Sequence, residues 1–159
     1  MGVPSHPALG GGPSPPAQAG PRQLMLLLDS EAISAIAHGP VARRELVRSL
    51  IAEMRSLELP VGTVAAVLAE VVRGHPRDAG VFSALQRERV QVHPVDTRVG
   101  VRAGRLLGDV GGGSELAVDA FVVAVADLVG GAVIATVDIS DFERLAAFAD
   151  NVEVSDIGS

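Results

Sequence analysis

Five acidic residues interrupt apolar stretches of this 159-residue sequence, and together they could build a metal site. Asp29 ends the run QLMLLLD, Glu70 lies within AAVLAEVVRG, and Asp119 lies within ELAVDAFVVAVA. Asp138 and Asp141 belong to the stretch VIATVDISDFERL. A carboxylate in such surroundings is costly to bury unless it is protonated, paired or bound to a cation. These five acids are therefore the candidate functional residues.

The chemistry that such a cluster favours is metal-dependent hydrolysis. Converging carboxylates repel one another and raise each other's pKa, so cations are needed to neutralise them. Oxygen ligands in a chain without cysteine select Mg²⁺ or Mn²⁺ over zinc. Two such ions, about 3.5–4 Å apart, can serve the hydrolysis of phosphodiesters. We therefore interpret all five acids as candidate catalytic and metal-binding residues.

Each assignment has a simpler structural alternative. Asp138 and Asp141 are equally compatible with a helix cap, and which of them reaches an ion is left open by the sequence. Ser30 and Thr136 could donate hydrogen bonds to a carboxylate or a phosphate, or could act as caps. Phe142 is more typical of core packing than of stacking on a base.

Hydrophobic periodicity predicts the elements that would position these residues. We expect strands at 23–29, 89–96, 132–138 and 152–154, and helices at 30–39, 40–57, 63–74, 97–110 and 114–131. Asp29 or Ser30 should cap the first helix and Ser114 the last, and Gly39 should end the first. Alternating strands and helices predict an α/β fold with a mostly parallel sheet. Ligands bind beyond the carboxyl ends of such strands, where Asp29 and Asp138 are expected.

Composition excludes several other kinds of site. The chain has no lysine, which excludes a Walker A loop, a Schiff base and the lysine-dependent aspartate sites of receivers and haloacid dehalogenases. Only 3% of the residues are aromatic and neither Trp nor Tyr is present, so base stacking is not a mode of nucleic-acid binding here.

The charge of −6 is unevenly distributed. Residues 1–105 carry 12 Arg and 9 acids, whereas residues 106–159 carry Arg144 and 10 acids. The candidates for contact with RNA phosphates are Arg73, Arg43 and Arg44. Arg73, three residues after Glu70, is the best single candidate. An equally good interpretation is that these arginines lie on a solvent-exposed face and pair with glutamates.

The chain divides into a Gly/Pro-rich segment, 1–22, expected to be disordered, and one domain at 23–159. No apolar run is long enough for a membrane span, and no secretory signal is recognisable, which predicts a cytoplasmic protein with no membrane partner.

Four motifs in order resemble those of the PIN-domain family and, within it, the VapC-type toxins of type II toxin–antitoxin pairs. They are LLLDS, LPVGTVAAVLAEVVRG, AVDAFVVAVA and TVDISDF, and the similarity covers residues 24–154. The resemblance implies a three-layer α/β/α fold and a Mg²⁺- or Mn²⁺-dependent endoribonuclease. It also implies a homodimer and a small antitoxin partner whose C-terminal segment occupies the active site. The alternatives are a catalytically silent PIN-like domain that binds RNA or protein, and a nucleotide-binding doubly wound domain.

Overall fold

The computed structural model describes Gly2 and residues 24–158. The expected disordered extension, apart from Gly2, lies outside the described residues. The centre of the domain is a five-stranded sheet with the order β3-β2-β1-β4-β5. The strands are β1 (Met25–Leu28), β2 (Val61–Val64), β3 (Gln91–His93), β4 (Ala132–Thr136) and β5 (Val152–Asp156). Every pair among them is parallel, so the prediction of a mostly parallel sheet is confirmed.

Seven α-helices within the described residues cover this sheet. They are α1 (Ser30–His38), α2 (Val41–Ser56), α3 (Ala65–Val71), α4 (Asp78–Arg87), α5 (Thr97–Val110), α6 (Ala117–Leu128) and α7 (Ile139–Ala146). Helices α1 and α2 pack on each other and on β1, and α3 and α4 contact α1. Helix α6 contacts four strands, and α5 and α7 pack against it. The arrangement confirms the three-layer α/β/α architecture.

The core is aliphatic, as the composition predicts. All four residues of β1 are buried, which explains why its sequence is a continuous apolar run and not an alternating one. Helix α6 is almost entirely apolar because residues 122–126 are all buried against the sheet. Phe142 is 1% exposed and packs in the same cluster, in agreement with the core role expected for it.

The topology brings two strand ends together. In the order of the strands, β2 and β3 lie on one side of β1, and β4 and β5 lie on its other side. The register pairs Leu28 with Ala135, so β1 and β4 end next to each other. This is the switch point of the sheet, where open α/β proteins bind their ligands.

The predicted helix at 63–74 is wrong at both ends. Thr63 and Val64 belong to strand β2, which the sequence did not predict, and the helix covers only Ala65–Val71. Gly62 obscures this strand, because glycine is rare in strands. A Cβ at Gly62 would lie 2.9 Å from Met25 Cε and 3.0 Å from the Gln91 carbonyl oxygen, so close packing requires the glycine.

Three further expectations need correction. The strand expected at 89–96 is shortened to Gln91–His93, since Pro94 has no N–H to continue the ladder. Helix α4, which contains Gly80, was not predicted. Ser114 does not cap the long helix; it begins a 3-10 turn (Ser114–Leu116), and α6 follows without a side-chain cap.

None of the helices in the described part of the chain combines the length and the hydrophobicity that crossing a membrane requires.

Candidate metal centre

Asp29 is fixed in orientation at the end of β1. Its Oδ1 accepts a 2.9 Å hydrogen bond from the Ala32 backbone N–H, which makes Asp29, and not Ser30, the N-cap of α1. The Thr136 side chain acts to lower the pKa of the same carboxyl group. Asp29 is 5% exposed, so the capping bond fixes a largely buried carboxyl group at the switch point.

Asp138 follows β4 and is oriented through the same threonine. The hydroxyl oxygen of Thr136, which is fully buried, accepts a 2.9 Å hydrogen bond from the Asp138 backbone N–H. Asp138 occupies the N-cap position of α7, yet its side chain forms no capping hydrogen bond. Its exposed carboxylate is therefore not used by the helix and points to another role.

The other three acids come from helix ends. Glu70 lies in the last turn of α3, Asp119 in the first turn of α6 and Asp141 in the first turn of α7. A single cleft of about 370 Å³ contains them together with both strand-end acids. Its lining is Asp29, Ser30, Glu31, Glu70, Glu115, Asp119, Val137, Asp138, Asp141 and Phe142. The structure thus brings together all five acids that the sequence singled out.

Three acids of the cleft lie close together near the starts of α6 and α7. Asp119, Asp138 and Asp141 each offer one carboxylate oxygen, and these three oxygens lie within 4.8 Å of one another. Both of the C-terminal aspartates therefore take part in this group, together with Asp119. Asp138 occupies the N-cap position of α7, but its carboxylate makes no capping bond, so the side chain is available to this group.

The acids at the centre of the cleft have strongly raised pKa values. Burial, followed by the charges of Asp138, Glu70, Asp29 and Asp141, raises the pKa of Asp119 to about 7. Burial also raises the pKa of Asp29 to about 6, against the opposing hydrogen bonds from Thr136 and Ala32. Each anionic form is destabilised by its surroundings, so these two groups retain protons well above the usual range of a carboxyl.

The donor set fits a hard divalent cation. Its ligand atoms are carboxylate oxygens alone, which Mg²⁺ and Mn²⁺ prefer, and neither histidine nor cysteine lines the cleft. Three of these oxygens already lie close enough to one another to share an ion. The repulsion that raises the pKa of Asp119 is the repulsion that a cation would relieve.

Two acids of the cleft were missed by the sequence reasoning. Glu31 lies in the first turn of α1, and Glu115 lies in the 3-10 turn before α6. The signal for Glu115 was its spacing of four residues from Asp119, which places both on one side of a continuous helical stretch. Glu31 follows Ser30 directly, and an acidic residue in the first turn of a helix is common without any role in a site, so nothing in the sequence singled it out.

The arginines proposed for RNA lie at different distances from this cleft. Arg43 Nη1 is 3.9 Å from Glu31 Oε2, at the rim. Arg44 has a buried Nε with no hydrogen-bond partner in the described residues. Arg73 follows the end of α3 and donates from Nη1 to the Ala69 carbonyl, and it lines a neighbouring depression.

Comparison with known proteins identifies the fold. A chain of VapBC2 from Rickettsia felis, in a crystal structure with a DNA fragment from their promoter, is 16% identical with a TM-score of 0.57. The alignment covers 83% of this chain and 98% of that one. A search of curated proteins gave no match. The family model of the PIN domain matches residues 26–147, which is most of the described chain. The chain belongs to the PIN-domain family.

Proposed function

We propose that this protein is a Mg²⁺- or Mn²⁺-dependent endoribonuclease that hydrolyses RNA phosphodiester bonds, as the toxin of a type II toxin–antitoxin pair. The observation that carries the proposal is the convergence of five carboxylates, from three helices and two strand ends, in one cleft of a PIN domain. Such a group is unfavourable for stability alone, since burial together with the charges of the neighbouring acids raises the pKa of Asp119 to about 7.

The proposed roles follow from the positions of the side chains. Asp119, Asp138 and Asp141 hold the cation, because one oxygen of each lies within 4.8 Å of the other two. When bound, the cation supplies charge neutralisation and makes water more acidic. Asp29 is held by Ala32 and Thr136, and its pKa of about 6 lets its carboxyl group exchange a proton near neutral pH. Glu70 provides a further carboxylate on the α3 side of the cleft.

Ser30 and Thr136 have supporting roles in this proposal. Thr136 links the two strand ends, since its hydroxyl group interacts with both Asp29 and the Asp138 backbone. Ser30 lines the cleft beside Asp29 and offers a hydroxyl to a phosphate oxygen. Of the three arginines that the sequence suggested, Arg43 forms an ion pair with a cleft acid. Arg44 and Arg73 would contact RNA only beyond the cleft.

The proposed partners are an antitoxin protein, the RNA substrate and a second copy of the chain. The fold shared with a chain of VapBC2 supports the antitoxin. The acidic cleft adds a chemical argument, because a basic segment of a partner would neutralise the carboxylates in place of a cation. A homodimer and a cytoplasmic location are proposed by resemblance to the VapC-type toxins.

A cleavage assay with single-stranded RNA tests the proposal. We expect cleavage with Mg²⁺ or Mn²⁺, none with EDTA, and none for Asp119→Asn. Asp150→Asn is the matched control, because Asp150 is exposed and does not line the cleft. Cleavage that persists in EDTA or in Asp119→Asn would contradict the proposal. RNA binding without cleavage would instead identify a silent binding domain, and stabilisation by nucleotides but not by Mn²⁺ would identify a nucleotide-binding one.

A further inference from the structure

Arg144, which the sequence reasoning did not single out, lies beside the carboxylate cleft. Its Nη1 is 3.5 Å from Asp141 Oδ1, and its Nη2 donates a 3.3 Å hydrogen bond to the Val110 carbonyl at the end of α5. Arg144 also lowers the pKa of Glu115, after the hydrogen bonds from the backbone N–H groups of Gly113 and Glu115 itself. The guanidinium group thus lies close to two acids of the cleft, and the side chain is 53% exposed.

Arg43 has a corresponding position on another side of the cleft. It lies on α2, and its Nη1 is 3.9 Å from Glu31 Oε2. Glu31 belongs to α1, in the helical layer formed with α2, whereas Asp141 belongs to α7, in the layer formed with α5 and α6. The two arginines therefore approach the cleft from the two helical layers on either side of the sheet.

Among the described residues, only these two arginines form ion pairs with acids that line the cleft. Arg102 is engaged elsewhere, with Asp127 at 2.7 Å and with the Phe148 carbonyl. Arg48 pairs with two glutamates outside the cleft, Glu45 and Glu88. Within the part of the chain that the structure describes, ion pairs between arginines and cleft acids thus lie at two points, one in each helical layer.

A polyanion that reaches this cleft meets strong repulsion from its carboxylates. Arginine suits the task of offsetting that repulsion, because its planar guanidinium presents five N–H donors and binds phosphate oxygens in pairs. Arg43 and Arg144 both keep N–H groups that form no hydrogen bond in the described residues. Each can therefore contact a phosphate without leaving its acidic partner.

We infer that Arg144 and Arg43 are positioning residues that bind backbone phosphates of the RNA on opposite sides of the carboxylate cleft. The strand then crosses the switch point of the sheet from the α2 side to the α7 side. One phosphate lies on each arginine, and the scissile bond lies between them. The inference rests on the proposed ribonuclease function and specifies how that site holds its substrate.

The first test is the salt dependence of RNA affinity. Binding of a fluorescent single-stranded oligonucleotide is measured against NaCl concentration in Asp119→Asn, which prevents turnover. Loss of one phosphate contact should reduce the slope of log K against log salt by about 0.7 for single strands. We expect this reduction for Arg144→Gln and for Arg43→Gln, and twice the reduction in the double variant. Arg105→Gln is the matched control, since Arg105 is exposed on α5 and does not line the cleft.

The second test separates positioning from a structural effect on Asp141. In the active protein, Arg144→Gln should raise KM by about tenfold, as the loss of one charged hydrogen bond implies, with kcat changed less than twofold. Arg144→Lys should restore the salt slope and part of KM. A purely structural role would instead change the thermal stabilisation by Mn²⁺ and leave the salt slope unchanged.

Different results would overturn the inference about the arginines and the proposed ribonuclease function. A wild-type protein that cleaves RNA while both arginine variants keep its salt slope would overturn the inference and leave the function intact. Equal effects of Arg105→Gln and Arg144→Gln, or no RNA binding by the Asp119→Asn parent, would also overturn it. Absence of cleavage by the wild type would refute the function itself.

Discussion

A carboxylate oxygen of Asp138 lies within 4.8 Å of a carboxylate oxygen of Asp119, and both residues line the same cleft. Burial raises the pKa of Asp119 to about 7, and the charge of Asp138 is the largest electrostatic cause of that rise. The pair is therefore unfavourable when both groups are ionised and no cation lies between them. Stability and metal binding should consequently both depend on pH in the neutral range.

The first prediction concerns stability without metal. The pKa of Asp119 rises on folding from 3.8 to about 7, so the folded state binds a proton that the unfolded state releases. The associated stability is complete below pH 3.8 and is lost as the pH rises to about 7. Denaturation in EDTA should show wild type losing stability relative to Asp119→Asn across that window. A constant difference between the two proteins would contradict the prediction.

The second prediction concerns metal binding. Protons compete with a cation for Asp119 and Asp29, whose pKa values are about 7 and 6. The increase in melting temperature produced by Mn²⁺ should therefore be small at pH 5.5 and large at pH 8. Thermal unfolding over a series of Mn²⁺ concentrations at each pH measures this increase. Equal shifts at both pH values would show that these carboxyls do not hold the ion.

The third prediction separates the two roles of Asp29, which caps α1 and lines the cleft. Asn caps a helix as well as Asp does, whereas Ala costs about 1 kcal/mol of stability. Both variants remove the buried carboxyl, so in the metal-free protein Asp29→Asn should be more stable than Asp29→Ala by about that amount. Both should abolish cleavage. Chemical denaturation and the RNA assay measure the two effects, and an active Asp29→Asn would remove this residue from the site.

The sequence predicted the parallel α/β/α architecture and the five acids that line the cleft, but it missed individual elements and contacts. Asp29 and Asp138 were recognisable because continuous apolar runs end at them, and such runs are the signature of strands buried on both faces. Strand β2 was not recognisable, since four residues containing Gly62 carry no periodicity. Arg144 was not singled out either: its i,i+3 pairing with Asp141 within α7 is an ordinary helical contact, and its bond to Val110 depends on how α7 packs against α5.

The fourth prediction concerns Phe142, which lines the cleft but is 1% exposed. If its ring serves the core, Phe142→Ala should lower the free energy of unfolding by about 3–5 kcal/mol. Phe142→Leu, which fills most of the volume, should lower it much less and keep RNA affinity. Urea denaturation and oligonucleotide binding check both. A stable Phe142→Leu with strongly weakened RNA binding would indicate that the ring stacks on a base.

The fifth prediction concerns Thr136, which connects the two strand-end acids. Its hydroxyl interacts with the Asp29 carboxyl and accepts the Asp138 N–H at 2.9 Å. Thr136→Val preserves the shape and removes the hydroxyl, leaving the partly buried Asp138 N–H without its partner, at a cost of about 1–3 kcal/mol. Cleavage should fall more than in Thr136→Ser, which keeps the hydroxyl. Since the residue is fully buried, it cannot contact RNA itself, so KM should change little while kcat falls. A Thr136→Val variant with normal kcat would show that the two aspartates are positioned without this bridge.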